Sequence, residues 1–269
     1  MWVTTKVPSK SKMIDYREVT ELANDPVSAE QIERLERRYF WARSYCSGCD
    51  VHELACGTAQ GAGVLAQVAR SFAASDSSDA MLALAKAHYG DRITLGKLDA
   101  QRPDLPDAQL DVLVLFEALY YLADADAFFR EARRVLRPGG TLLLATANKD
   151  LFDFNPSPYS HEYLGVCELA QRLGAAGFEV QVFGDTPIAE ISAVQKLLRP
   201  VKNLAVRLNL IPKSMGAKRL LKRLVFGKLR PMPAEIVYTP ARATPPTPLA
   251  PDRPDRGHKV LFCAARKPA

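Results

Sequence analysis

The sequence predicts an α/β protein with a seven-stranded, mostly parallel sheet, helices on both faces and a basic helical insertion before the last strand. Short apolar runs alternate with segments of helical periodicity, as expected for βαβ units around a parallel sheet. A cluster of small residues follows the first apolar run, where a strand would turn tightly into a helix. No internal repeat of about 20–50 residues is apparent, which excludes solenoids and propellers.

The elements follow in order along the chain. Ser28, with Gln31 three positions later, predicts the start of the first helix, and the run LDVLVLF is the clearest buried strand. The turn Arg137-Pro138-Gly139-Gly140 is expected to end one helix and begin the next strand. Strands are predicted at 51–55, 72–75, 93–95, 110–116, 141–147, 178–183 and 260–265, and later helices at 61–69, 79–88, 123–135 and 168–175.

The charge distribution suggests four parts. Eleven of the 36 basic residues lie between Glu190 and Glu235, an interval without acidic residues, and a proline-rich run follows at 240–254. We therefore expect an N-terminal helical cap (1–45), a core (46–184), a basic helical insertion with a proline-rich loop (185–257) and a final core strand (258–269).

The composition indicates a globular cytoplasmic protein. Hydrophobic residues make up 48% and charged residues 25%, ordinary values for such proteins. We expect no membrane span and no secretory signal. Five cysteines do not suggest a disulfide framework. Cys46, Cys49, His52 and Cys56 have a metal-like spacing, but the last two lie along a predicted strand whose side chains alternate, so we predict no metal site.

The segment from Glu53 to Gly61 and the later Asp76 are the candidate ligand-binding features. Small residues at the end of the first strand let the backbone approach a ligand, and Asp76, ending the second strand, can accept both hydroxyls of a ribose. This arrangement suits a dinucleotide or S-adenosylmethionine. The glycine spacing, the carboxylate of Glu53 before the loop and Asp99 after the third strand favour S-adenosylmethionine.

Five segments in sequence resemble the successive motifs of class I S-adenosylmethionine-dependent methyltransferases, in particular the type 11 group. They are VHELACGTAQG (51–61), ASDSSDAML (74–82), LDAQ (98–101), LDVLVLFEALYYL (110–122) and VLRPGGTLLLATA (135–147). The resemblance implies a Rossmann-like fold, S-adenosylmethionine as cofactor and methyl transfer as the activity.

The resemblance also implies which residues hold the cofactor. Its methionine end, ribose and adenine would be bound by the following residues: Tyr39, Glu53, Ala55, Cys56, Gly57, Asp76, Ser77, Met81, Asp99, Ala100, Phe116 and Glu117. Two alanines depart from the family pattern, which has glycines there. We expect Ala55 to be a mild change, and Ala59 to occupy a position that favours a positive φ.

A hydroxyl acceptor would need a general base. His161, in a predicted substrate-side loop at 155–163, is the main candidate, and Glu117 and His258 are weaker ones. A surface histidine at a helix start is the competing interpretation of His161.

The basic segment at 196–230 bears on the acceptor. Its amphipathic, lysine- and arginine-rich pattern is typical of helices that contact anionic membranes or phosphorylated molecules. We predict a small or glycan-, lipid- or nucleotide-linked acceptor, with a sugar hydroxyl as one form, and contact with the inner face of a membrane. A lid or homodimer contact is the competing interpretation. An RNA acceptor is disfavoured because few aromatic residues interleave the charges.

Two other classes stay open at this stage. A non-catalytic binding protein could retain the same fold, and an NAD-linked oxidoreductase could use a similar loop. Absence of S-adenosylmethionine binding, or no effect of Asp76→Ala on it, would argue against the enzyme, and a fluorescence titration with NADH tests the oxidoreductase.

Overall fold

The computed structural model describes residues 22–188 and 229–269. Its strands are β1 Pro26–Val27, β2 Asp50–Leu54, β3 Ser71–Asp76, β4 Thr94–Lys97, β5 Leu110–Phe116, β6 Leu136–Ala147, β7 Glu179–Pro187, β8 Arg230–Pro231, β9 Thr247–Leu249 and β10 His258–Arg266. Its α-helices are α1 Ala29–Cys46, α2 Ala62–Ala66, α3 Asp79–Tyr89, α4 Ala125–Val135 and α5 Val166–Ala175. Two short 3₁₀ helices span Leu119–Tyr121 and Pro240–Arg242.

Eight strands form the main sheet in the order β4-β3-β2-β5-β6-β10-β7-β9. Strands β4, β3, β2, β5 and β6 pair in parallel, whereas β10 lies antiparallel between β6 and β7. The predicted Rossmann-like class is therefore confirmed. Chain order reverses between β2 and β5, which places the topological switch point, and with it the expected ligand crevice, at the carboxyl ends of these two strands.

The sheet has one strand more than the predicted seven. The additional strand, β9, lies within the proline-rich run that the sequence predicts to be a loop, and it pairs antiparallel with β7. Pro248 is tolerated there because β9 is an edge strand, on which one side has no ladder partner for the missing N–H. The strand was not predicted because its prolines are typical of loops.

The two faces of the sheet bury separate apolar layers, as alternating side chains require. On β5, Leu113 and Leu115 face the layer that contains α4 and α5. Val112 and Val114 face the opposite layer, against α1 and α2. The strand is buried on both faces, which explains its continuous apolar run.

Helix α1 begins where the sequence predicts. Ser28 and Gln31 form a capping box, which satisfies two backbone donors at the N-terminus of the helix. Helix α2 is shorter than the predicted 61–69. In α3 the buried positions are Met81, Ala85 and Tyr89, whereas Leu84 on the same helix is 41% exposed.

The predicted cap and insertion are only partly described. Residues 1–21, and residues 196–228 of the basic segment, lie outside the described ranges, so the domain boundaries stay a prediction. Within the described residues, no helix is both long and apolar enough to cross a bilayer.

Candidate active site

A cavity of about 360 Å³ opens at the carboxyl ends of β2 and β5, with α1 on its other side. All twelve residues expected to hold the cofactor line it. The residues predicted from the sequence therefore lie around one cavity, although they are distributed from position 39 to position 117.

The loop after β2 gives the cavity a floor of backbone. Ala55, Gly57 and Ala59 have φ values of 53°, 58° and 58°. Ala59 thus adopts the left-handed geometry expected at its position. Ala55, expected to be a mild change, has the same left-handed geometry, in which an alanine is strained by about 1–2 kcal/mol relative to the right-handed region.

Glu53 is the buried carboxylate of the site, with 1% of its surface exposed. Its Oε1 accepts a hydrogen bond of 2.5 Å from the Tyr39 hydroxyl, whereas its Oε2 is buried without a partner in the described part of the chain. Burial raises the pKa of Glu53 to about 7, opposed by the Tyr39 hydrogen bond and the Arg38 charge. A cationic ligand at Oε2 would supply the missing partner.

Tyr39 depends on close packing against the cofactor loop. A Cβ at Gly61 would lie 2.1 Å from the Tyr39 ring, so only glycine admits the ring at this position. This contact ties helix α1 to the loop and holds the Tyr39 hydroxyl against Glu53.

Asp76 lies at the end of β3 and is fixed by the loop it faces. Its Oδ2 accepts from the Gly57 N–H and its Oδ1 from the Ser78 N–H, both at 2.8 Å. Each carboxylate oxygen has a second lone pair, so both can still accept ribose hydroxyls. Burial raises the pKa of Asp76, and these backbone donors oppose the rise.

The adenine side of the cavity is more open. Asp99 is exposed and its Oδ1 accepts from the Gln101 N–H at 2.9 Å, whereas Ala100 and Met81 are buried. An exposed carboxylate beside two apolar residues suits a flat ring with a polar edge.

Glu117 marks the other end of the cavity, directly after β5. Its φ of 53° is left-handed, a conformation that non-glycine residues adopt at a cost and often at functional sites. The Tyr120 hydroxyl donates to its Oε2 at 3.0 Å. Arg34 and Arg38 of α1 lie 3.7 and 3.8 Å from its Oε1.

Arg34 and Arg38 are site residues that the sequence reasoning missed. Both line the cavity, and both lie on the same face of α1. The available signal was their spacing of four residues, which puts them on one helix face with Leu35 and Tyr39. Met232 also lines the cavity, although no local pattern connects it with the cofactor loop.

His161 does not line the cavity. Its side chain is exposed, and its backbone N–H donates to the Tyr120 carbonyl at 2.8 Å. The loop at 155–163 instead packs behind the cavity, where Tyr163 stacks on Tyr120 with ring centroids 4.5 Å apart. His258, the weaker candidate, contacts Asp255 at 3.2 Å and is also outside the lining. Glu117 is therefore the better placed of the two predicted bases.

The segment with metal-like spacing, Cys46 to Cys56, makes contacts within the fold. His52 Nε2 lies 2.9 Å from the Ser75 hydroxyl, and burial lowers the pKa of His52 to about 4. Among residues 22–188 and 229–269, no group of three or more candidate ligands could hold a metal ion.

The cavity fits S-adenosylmethionine on its own chemistry. The unpartnered Glu53 Oε2 matches the ammonium of the methionine moiety, and Asp76 at the end of β3 matches the ribose hydroxyls. A pyrophosphate beside Glu53 would instead meet a carboxylate of like charge. The donor set therefore favours S-adenosylmethionine over a dinucleotide.

Comparisons with known proteins agree with this site. A family model of the methyltransferase domain matches residues 52–144. The chain is 34% identical to a protein of Mycolicibacterium smegmatis named as a probable S-adenosylmethionine-dependent methyltransferase, over 62% of this chain and 72% of that protein. A similarly named Mycobacterium tuberculosis protein is 35% identical over 49% of this chain and 50% of its own length.

More distant similarities concern the acceptor and the fold. A ubiquinone biosynthesis O-methyltransferase of Pseudomonas aeruginosa is 27% identical over 53% of this chain and 61% of that protein. The crystal structure of an S-adenosylmethionine-dependent methyltransferase of Thermotoga maritima superposes with a TM-score of 0.54 at 15% identity, covering 88% of this chain and 92% of that one. The latter likeness concerns the fold alone.

Proposed function

Since this chain belongs to the class I S-adenosylmethionine-dependent methyltransferases, we propose that it methylates a hydroxyl of a small or glycan-, lipid- or nucleotide-linked acceptor. The observation that carries the proposal is that one cavity is lined by Glu117 and by the other residues expected to hold the cofactor. The name of the Pseudomonas aeruginosa relative, an O-methyltransferase, supports oxygen as the methylated atom.

The chain's own residues would hold the cofactor by complementary charge and hydrogen bonding. Glu53 would pair with the ammonium, and Asp76 would accept from the ribose. Asp99 and the Ala100 N–H would read the adenine edge, with Met81 packed beside the ring. When bound, the cofactor supplies an activated methyl group on a sulfonium, so an in-line displacement needs mainly correct positioning.

Glu117 is the group that would receive the acceptor proton. It lies at the carboxyl end of β5, next to the methionine end of the cavity, and the Tyr120 hydroxyl fixes its orientation. Burial keeps the pKa of Tyr120 well above its ordinary value, so this hydroxyl donates to Glu117 instead of competing as a base. A positioned carboxylate of this kind contributes about 10²–10⁴-fold to a proton transfer.

The basic segment at 196–230 would bring the enzyme to its acceptor. We retain the proposal that it contacts phosphorylated molecules or the cytoplasmic face of a membrane, on the strength of its eleven basic residues and apolar stripes. Liposome co-sedimentation of the full chain beside a variant without 196–230 tests this contact. Equal sedimentation of the two proteins argues for a lid or dimer role.

The experiment that tests the proposed function has two stages. Calorimetry with S-adenosylmethionine should show binding to the wild type and a loss of at least tenfold in affinity for Asp76→Ala, because two ribose hydrogen bonds disappear. A screen of hydroxyl acceptors with methyl-labelled cofactor then looks for label in the acceptor. If the cofactor does not bind, the proposal fails. If it binds but Asp76→Ala has no effect, the assigned binding mode fails.

A further inference from the structure

Helix α1 places two guanidinium groups at the Glu117 end of the cavity, and neither is fixed by a hydrogen bond to another residue in the described part of the chain. Arg34 Nη2 and Arg38 Nη1 lie 3.7 and 3.8 Å from the same Oε1 of Glu117, beyond the usual hydrogen-bond length. The Nε of each is buried and has no partner among the described residues. Two positive charges thus share one carboxylate.

Other arginines of the same helix are used differently. Arg37 donates to the buried Asp185 at 3.4 Å. The Arg43 Nε is likewise without a partner among the described residues, but its guanidinium lies 4.3 Å from the Tyr238 ring centroid. These two contacts join α1 to the rest of the fold. Arg34 and Arg38 are the ones that line the cavity, so their charges are available to ligands.

The cofactor can form an ion pair with only one of the two arginines, Arg34 and Arg38. S-adenosylmethionine has a single carboxylate, at the same end as the ammonium that Glu53 would pair with. Arg38 is adjacent to Tyr39, lies 5.7 Å from its ring centroid and acts electrostatically on Glu53. Arg38 is therefore the arginine suited to that carboxylate. Arg34, one helical turn earlier, is left without a ligand.

Aromatic residues lie at the same end of the cavity as the Arg34 guanidinium. Tyr120 and Tyr121 line the same end of the cavity, with ring centroids 4.6 Å apart, and Tyr163 stacks behind Tyr120. Leu35 and Met232 complete the apolar lining. Such a wall suits a flat aromatic ring or the apolar face of a sugar ring.

We propose that Arg34 is an acceptor-binding residue that recognises an oxyanion, a carboxylate or phosphate, carried by an acceptor whose ring packs against Tyr120 and Tyr121. This rests on the proposed function, since the acceptor end is defined by the bound cofactor. Arginine binds both oxyanions through paired N–H donors. The attraction between an anionic acceptor and the sulfonium would further favour its approach to the methyl group.

The test uses the full chain saturated with S-adenosylhomocysteine, with binding measured by calorimetry at low salt. The probes are benzoate and phenyl phosphate, which separate carboxylate from phosphate recognition, and neutral benzamide. We expect one or both anions to bind the wild type more tightly than benzamide. Arg34→Gln should weaken that anion by at least about tenfold, as for the loss of a charged hydrogen bond, and leave benzamide and S-adenosylhomocysteine unchanged.

The matched control is Arg37→Gln, which removes the same charge from the same helix outside the cavity and should leave anion binding within about twofold. Arg34→Lys should restore part of the affinity, because it keeps the charge but loses the planar fork. Equal anion binding by the Arg34→Gln and Arg37→Gln variants overturns the proposal, as does a wild type that binds benzamide as well as both anions. A loss of S-adenosylhomocysteine affinity in Arg34→Gln would instead assign Arg34 to the cofactor. Failure of the wild type to bind S-adenosylhomocysteine overturns the proposed function itself.

Discussion

Replacing Glu53 with glutamine should remove a loss of stability that the ligand-free protein undergoes as the pH rises, while weakening cofactor binding. Burial raises the pKa of this carboxyl from 4.5 to about 7. Between these values the unfolded chain has already released the proton that the native protein still holds. The native state thus binds more protons, and stability falls as pH rises through this interval.

The size of the effect follows from the two pKa values. The difference between 4.5 and about 7 corresponds to about 3 kcal/mol, at about 1.4 kcal/mol per pH unit. This contribution is fully present below pH 4.5 and is lost once the pH exceeds the folded pKa of about 7. Roughly three quarters of it, about 2 kcal/mol, is lost between pH 5 and pH 8. Glu53→Gln cannot ionise, so it should escape this loss.

The assay is urea unfolding of wild type and Glu53→Gln at both pH values without ligand. The stability difference between the two proteins should change by about 2 kcal/mol in favour of the variant on going from pH 5 to pH 8. Any pH-independent cost of burying the amide cancels in this comparison. Glu179→Gln, an exposed carboxylate on β7, controls for the loss of a charge. A difference that is the same at both pH values would refute the reasoning.

Three further predictions concern the same cavity. Ala59→Gly should raise the free energy of unfolding by about 1 kcal/mol, because glycine adopts the left-handed φ at that position without strain. In the control Ala62→Gly, in α2, the free energy of unfolding should fall. Gly61→Ala should lower the melting temperature and the cofactor affinity together, since the new methyl group collides with the Tyr39 ring; unchanged values would contradict that packing. Glu117→Gln should reduce kcat at least tenfold and reduce cofactor affinity by less than that, and an undiminished kcat would exclude Glu117 as the base.

The fold and the cofactor loop could largely be predicted from the sequence because both depend on local patterns. The buried strand at 110–116 has the predicted bounds. Its apolar residues are consecutive in sequence because both faces of the strand are buried, so the pattern is local. Asp76 comes at the end of its strand, and parallel topology then brings it to the loop after β2. The capping box at Ser28 and Gln31 involves only neighbours in sequence.

What only the tertiary structure decided involves contacts between distant segments. Among the described residues Glu53 Oε2 has no hydrogen-bond partner, and burial raises the pKa of this carboxyl. No sequence pattern reports such burial. Arg34 and Arg38 read as ordinary charges of an exposed helix until α1 is packed over the carboxyl ends of β2 and β5. His161 is the opposite case. It is a titratable residue that follows a strand whose carboxyl end is on the ligand side of the sheet, but its side chain lies outside the cavity.

The sequence by itself thus determined the Rossmann-like core, the loop at 53–61 and the carboxylates that would read a nucleoside, since each follows from strand order and from residues next to one another. The tertiary structure decided the chemistry of the other end of the cavity. Three segments that are far apart in sequence meet there: helix α1, the end of β5 and Met232. Their packing determines which charged side chains are buried with a partner and which can bind a ligand.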